Sequence, residues 1–232
     1  MIRTLSAGAP STPWNERDVL LGVASAILLV LVSAVIGLAF VPAGAKEPSP
    51  LVVLILTLVL EAVLVSVVVS FTVVKYHCGV RPLGLAPPKV APVILWAAAG
   101  LGAALLFSYV YFVVVEALGL DRLADTPTPS FFNEKGPVWL GGALVATVMA
   151  PLAEELFFRG FVFPGLLRRI GLLWGAVVSA VLFALPHGDV ATLIPIFLLG
   201  VLLAWVYYRT GSLWTSILVH CGFNLFAVTQ LK

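Results

Sequence analysis

From residue 19 onward the chain alternates long apolar runs with short polar, proline-bearing breaks. A helix needs about 20 apolar residues to cross the hydrocarbon core. On that measure the runs at 19–41, 51–74, 92–116, 138–158, 172–187, 191–208 and 213–230 predict membrane spans. The breaks carry helix-stopping residues: Pro42 to Pro50, Arg81 to Pro92 (RPLGLAPPKVAP) and Asp121 to Pro137 (DRLADTPTPSFFNEKGP). No connection is long enough to hold a separate soluble unit, and no tandem or inverted repeat is visible. The expected fold is all-α, a polytopic transmembrane helical bundle of about seven spans, with six or eight as the neighbouring counts. The polar stretch 1–18 precedes a first run long enough to span, which reads as a retained helix and not as a cleaved signal peptide.

Composition agrees with a membrane protein. Of 232 residues, 61% are hydrophobic and 10% charged, with a mean hydropathy of +1.13, against the roughly quarter-charged composition of a soluble domain. A formal net charge of +2 gives no reason to expect a nucleic-acid partner. The basic residues serve better as topology markers. Arg3, Arg17, Lys75, Arg81, Lys89, Arg168, Arg169 and Arg209 fall on one side of the predicted spans, and Lys46, Arg122, Lys135 and Lys232 on the other. By the positive-inside rule the N-terminus is then cytoplasmic and the C-terminus external, in a multi-pass protein of the cytoplasmic (inner) membrane. Cys78 and Cys221 are expected to be free thiols.

Against this apolar background the segment LAEELFFRG, residues 152–160, sets two carboxylates and a guanidinium inside a span. On a helix Glu155 and Arg159 lie four apart and face each other, while Glu154 points about 100° away. The pair neutralises itself and leaves Glu154 as a lone acid aimed at another helix. An ionisable group near the bilayer centre costs at least ~2.5–3.5 kcal/mol and marks a functional site by default. Two more pairs follow at four-residue spacing, Phe183 with His187 in FALPH and the polar pair His220 with Asn224 in HCGFN. A carboxylate beside an imidazole can hold and deprotonate a water, and a second imidazole with an amide can donate to an oxyanion. Glu61, in LTLVLEAVL, is a further buried acid left without an assigned role: protonated, paired elsewhere or lining the cavity.

EELFFR, FALPH and HCGFN, in that order on three of the last four apolar segments, resemble the EExxxR, FxxxH and HxxxN/B motifs of the CPBP family. These are the CAAX-protease and bacteriocin-processing (Abi-type) intramembrane proteases, which include the type II CAAX prenyl endopeptidases. The turn YYRTGSLW is similar as well. The resemblance covers roughly 138–230, whereas the earlier spans match only in being hydrophobic. It implies an intramembrane endopeptidase acting on a membrane-associated protein or peptide. In that implied scheme Glu154 and His187 activate a water, His220 and Asn224 stabilise the oxyanion, and Glu155 and Arg159 support them. The implied organisation is a polar N-terminus at 1–18, shielding or substrate-recruiting helices at 19–120, and a catalytic domain at 138–230. No cofactor is favoured. Were the reaction metal-dependent, Glu154, His187 and His220 would suit a three-ligand zinc site.

Two rivals come from other classes, a proton-coupled transporter and a non-catalytic membrane scaffold or immunity protein. One geometric tension also stands. The predicted bounds set Glu154 near one end of its span and His187 near the opposite end of the next. Either Pro164–Gly165 turns 160–170 back into the membrane, or the spans are shorter and deeper than drawn.

Overall fold

Hydrocarbon offers no partner for a backbone N–H or C=O, so a chain this apolar satisfies its main chain within helices. The computed structural model describes residues 11–41, 44–45, 47–123 and 127–231, and no strand occurs among them. The principal helices are α1 (Glu16–Leu38), α2 (Pro50–Val69), α3 (Val90–Ala117), α4 (Pro137–Leu144), α5 (Ala150–Glu155), α6 (Phe163–Ala184), α7 (Val190–Thr210) and α8 (Leu213–Gln230). Among the described residues five helical stretches are long and apolar enough to cross a membrane: Glu16–Leu38, Pro50–Val74, Val90–Ala117, Pro137–His187 and Val190–Thr210. The protein is thus an all-α polytopic bundle. The fourth stretch, 51 residues long, leaves helical geometry at Gly171 (φ 74°, ψ 177°) and doubles back there. Its arms meet again where Ser179 Oγ donates to Phe158 O at 3.1 Å. Dividing this stretch at Gly171 and adding the 18-residue α8 yields the seven segments that the hydrophobic runs predict.

The doubled stretch corrects the predicted bounds. The chain does not turn at Pro164–Gly165, and its first arm stays helical from Pro137 to Gly171. Pro164 falls in the first turn of α6, where a missing N–H is tolerated. Gly165 lies under Trp14 and Val19, and a Cβ there would come 2.5 Å from Val19 Cγ2. Glu154 therefore sits midway along its arm, and the returning arm brings Phe183 and His187 down beside it. Two widened, π-helical turns interrupt the first arm, Val145–Met149 and Leu156–Val162. Each ends two residues before a proline, Pro151 and Pro164. A proline ring collides with the carbonyl four residues earlier and supplies no N–H, and one extra residue in the turn relieves both problems.

Helices α6, α7 and α8 form the centre of the bundle, α3 covers α7 and α8, and the α1–α2 pair packs on α5 and α6. The α1–α2 side is held by an aromatic core of Trp14, Phe157, Phe158, Phe161 and Phe183 with Val19, Leu64 and Val68. On the α3 side, Ala97 and Ala104 meet Leu199, Leu203, Val206 and Val219.

Polar ties close one end of the bundle. Asn15 and Asp18 form a capping box on α1, and Asp18 also bonds Lys75 and, at 2.5 Å, Tyr76. Leu213 N–H donates to Gly84 O at 2.9 Å, which docks the 81–85 turn on the α7–α8 junction. Gly84 has φ 82°, and a Cβ there would lie 2.6 Å from the Tyr207 ring. These contacts gather Arg17, Lys75, Arg81, Lys89, Arg168, Arg169 and Arg209 at that same end. Arg3, Lys46 and Lys232, and the first ten residues of the 1–18 segment, lie outside the described residues.

Candidate active site

Glu154 and Glu155 fall between the two widened turns and project to different neighbours. Glu155 and Arg159 form the expected pair, with Nη1 2.8 Å from Oε1 and both side chains wholly buried. A buried pair is costly where its remaining polar atoms go unmet, and Arg159 Nε and Glu155 Oε2 have no hydrogen-bond partner among the described residues. Arg159 Nη2 donates to Gly200 O at 3.1 Å, and the guanidinium lies 4.3 Å from the centroid of Phe183. Gly200 allows this approach, because a Cβ there would stand 2.9 Å from Ala180 Cβ and 3.0 Å from its Cα. Neither Gly200 nor the aromatic face under Arg159 announces itself in the sequence, since one is a lone glycine in an apolar helix and the other looks like packing.

His220 enters from α8 between the two carboxylates. Its Nδ1 is 3.1 Å from Glu155 Oε1 and its Nε2 3.6 Å from Glu154 Oε2. The imidazole against Glu154 is therefore that of His220, whereas the motif reading pairs Glu154 with His187. Arg159, Glu155, His220 and Glu154 make one continuous chain of contacts, and the Glu155–His220 link is the one that sequence spacing could not foresee. His187 ends the returning arm, and its Nδ1 lies 3.1 Å from Phe183 O. A carbonyl only accepts, so Nδ1 carries the proton and the lone pair of the neutral ring is on Nε2. The ring of Phe183, 1% exposed, makes T-shaped contacts with both imidazoles, at 5.6 Å to His187 and 5.5 Å to His220.

Asn224 lies one turn beyond His220, and its Nδ2 donates to Ala146 O at 2.8 Å. The bond has a specific cause. Ala150 N–H goes to Val145 O, five residues back, and Pro151 has no N–H, so Ala146 O lacks a helical donor. The second N–H of the amide stays free for another acceptor.

All four motif side chains, Glu154, His187, His220 and Asn224, line one cavity of about 430 Å³. Glu61 of α2 lines it too, as do Phe131, Phe132, Phe183, Ile196 and Leu199. Glu154 and His187 also border an apolar groove of about 340 Å³ whose outer wall is Val23, Ile27, Val30 and Leu31 of α1. Glu154 thus stands where an apolar passage meets a polar chamber, with 15% of its side chain exposed.

A catalytic zinc would need its ligands convergent on one point. Among the described residues no three His, Cys, Asp or Glu side chains are gathered so, and Glu154, His187 and His220 do not form such a set. The faces of His220 are turned to Glu155 and Glu154 instead. Cys78 and Cys221 are both free and lie away from the cavity lining.

Residues 136–226 match the family described as type II CAAX prenyl endopeptidase, Rce1-like. Among curated relatives, YdiL of Bacillus subtilis, whose name describes a membrane peptidase, is 29% identical over 85 residues, 37% of this chain and 35% of that protein. The UPF0177 protein YxdF of Lactococcus lactis is 34% identical over 87 residues, 37% of this chain and 47% of its own. The membrane-embedded CAAX protease MroQ of Staphylococcus aureus is 26% identical over 144 residues, 59% of this chain and 57% of its own. The matches thus span between about a third and somewhat over half of these relatives' lengths. No solved structure matches the chain. The family resemblance read from the three motifs holds: residues 136–226, which carry them, are similar to that family.

Proposed function

We propose that the protein is an intramembrane endopeptidase that hydrolyses a peptide bond of a membrane-associated protein or peptide. The observation that carries this is the single cavity onto which Glu154, His187, His220 and Asn224 open from three helical segments. The N-terminal helices shield that cavity, and the apolar groove along α1 admits the apolar part of the substrate. The basic end of the bundle faces the cytoplasm of a cytoplasmic membrane, as positively charged loops do.

In this reaction a water sits between Glu154 and Nε2 of His187. Glu154 takes its proton as the oxygen attacks the scissile carbonyl, and His187 accepts the second hydrogen as a hydrogen bond. The new C–O bond turns the carbonyl oxygen into an oxyanion. Nε2 of His220, when it carries a proton, and the free N–H of Asn224 donate to that oxyanion. Collapse of the tetrahedral intermediate breaks the C–N bond, and Glu154 returns its proton to the leaving amine. Glu155, fixed by Arg159, holds Nδ1 of His220 so that Nε2 faces the reacting atoms. No side-chain nucleophile is required.

Purified protein in proteoliposomes, given a reporter whose membrane segment carries the cleaved site, tests the proposal. Glu154→Gln is expected to lower cleavage by about 10²–10⁴-fold, the range of a general base, while thermal unfolding shows the fold retained. Undiminished cleavage by the folded variant would overturn the mechanism.

A further inference from the structure

Glu61 is the carboxylate of the cavity that the reaction above leaves unused. It lies midway along α2, is 6% exposed, and its Oε2 has no hydrogen-bond partner among the described residues. Glu155 is paired with Arg159 through Oε1, its Oε2 likewise lacking a partner among the described residues, and Glu154 faces Nε2 of His220 at 3.6 Å, whereas Glu61 has no ion pair among those residues. Glu61 shares the cavity with Glu154, His187 and His220. Its wall is otherwise Val53, Thr57, Leu60 and Phe132 among other uncharged side chains, and among the described residues no lysine or arginine lines it. A leucine would fill this helical position without the cost of burying an acid. Glu61 also lies outside the segment that matches the peptidase family, so it belongs to this chain's own N-terminal helices.

We infer that Glu61 determines cleavage-site specificity by receiving the ammonium or guanidinium of a lysine or arginine beside the scissile bond. The inference rests on the endopeptidase reading. A long basic side chain suits the place on both counts. Its aliphatic stem lies along apolar surface such as Leu60, Phe131 and Leu199, while its head reaches an unpaired acceptor. Membrane proteins also concentrate lysine and arginine at the ends of their apolar segments, so a membrane-bound substrate carries such a side chain close to its hydrophobic stretch. Substrate binding supplies the counter-ion that the free enzyme lacks, and a neutral or acidic residue at that position leaves Glu61 buried and unpaired.

Internally quenched peptides in detergent micelles, identical but for Lys, Arg, Met, Gln or Glu at each position flanking the cleaved bond, test this. Wild-type protein is expected to favour Lys and Arg over Met at one position by at least about tenfold in kcat/KM. In Glu61→Gln that ratio falls toward one, and in Glu61→Lys the preference turns to the Glu peptide. Thermal unfolding and size-exclusion profiles identify the variants that remain folded. A wild type without basic preference, or a ratio unchanged in folded Glu61→Gln, overturns the inference. Should the wild type cleave none of the peptides, the endopeptidase reading fails by itself. The subsite is then judged by equilibrium binding of the same peptides, fluorescently labelled, to Glu154→Gln protein. Selective binding of the Lys peptide that disappears on adding Glu61→Gln supports the site, and unselective binding refutes it.

Discussion

At the scale of single residues, the decisive arrangement is the unbroken contact chain from Arg159 through Glu155 and His220 to Glu154. Each member depends on the next. Arg159→Met strands Glu155 as a buried uncompensated charge, and removing one partner of such a pair typically costs about 3–5 kcal/mol. A matching loss of stability is expected in thermal or denaturant unfolding. The double variant Glu155→Gln/Arg159→Met removes both charges and should regain most of that loss, since a neutral amide still accepts from His220. Its cleavage rate should stay depressed, because the amide that replaces Glu155 lacks the second anchor that fixes His220. If the double variant were as unstable as the single one, packing against Phe183 and not charge would be the larger contribution of Arg159.

At the scale of helices, the site is shaped by prolines and a glycine. Pro151→Ala removes the ring clash that the widened turn relieves, so the turn is expected to narrow, Ala150 N–H to reach Ala146 O, and Asn224 to lose its fixed acceptor. Tm should hold or rise while cleavage falls at least about tenfold, in line with the effect of misplacing a reacting group by an ångström. Gly200→Ala should act oppositely, costing about 1–3 kcal/mol by overpacking against the Ala180 backbone. Much of this level was legible beforehand. The helices, the approximate spans, the Glu155–Arg159 pair and the facing of His220 and Asn224 follow from period and spacing. The extent of the first arm did not. Pro164–Gly165 reads as a break, yet an added residue in the preceding turn absorbs the proline while Trp14 covers the glycine. The contact of His220 with Glu154 was not foreseen for a related reason. Spacing reports which residues share a helix face, but His220 approaches Glu154 across a helix–helix contact whose rotation those widened turns set.

At the scale of the whole molecule, hydrogen bonds tie the N-terminal helices to residues 136–226, among them Trp14 Nε1 donating to Phe161 O at 2.9 Å and Leu213 N–H to Gly84 O. A further tie, in which Lys75 and Tyr76 donate to Asp18, locks α1 to the end of the α2 stretch. The hydrogen bond from Asp18 holds the Lys75 ammonium above its ordinary value of 10.5. A raised cation contributes its stability fully below the free value and loses it as pH climbs through the folded one. The clasp is therefore expected to survive throughout neutral pH and to open only above about pH 10.5. Trp14 fluorescence followed from about pH 7 to about pH 12 reads this out, and Asp18→Asn should abolish that transition. These ties could not be read from the sequence, since each joins residues far apart in the chain through an otherwise unremarked aromatic, glycine or aspartate.

The internal pairing of Glu155 with Arg159 also bears on how the protein is made. Both belong to a single arm, which leaves the ribosome before α7 brings Gly200 and α8 brings His220. While those later segments are still being synthesised, the arm already carries its own neutraliser one turn away and enters lipid without a bare guanidinium. Substituting either residue alone should therefore hinder insertion of the nascent chain as well as weaken the finished fold, whereas losing His220 should leave biogenesis intact.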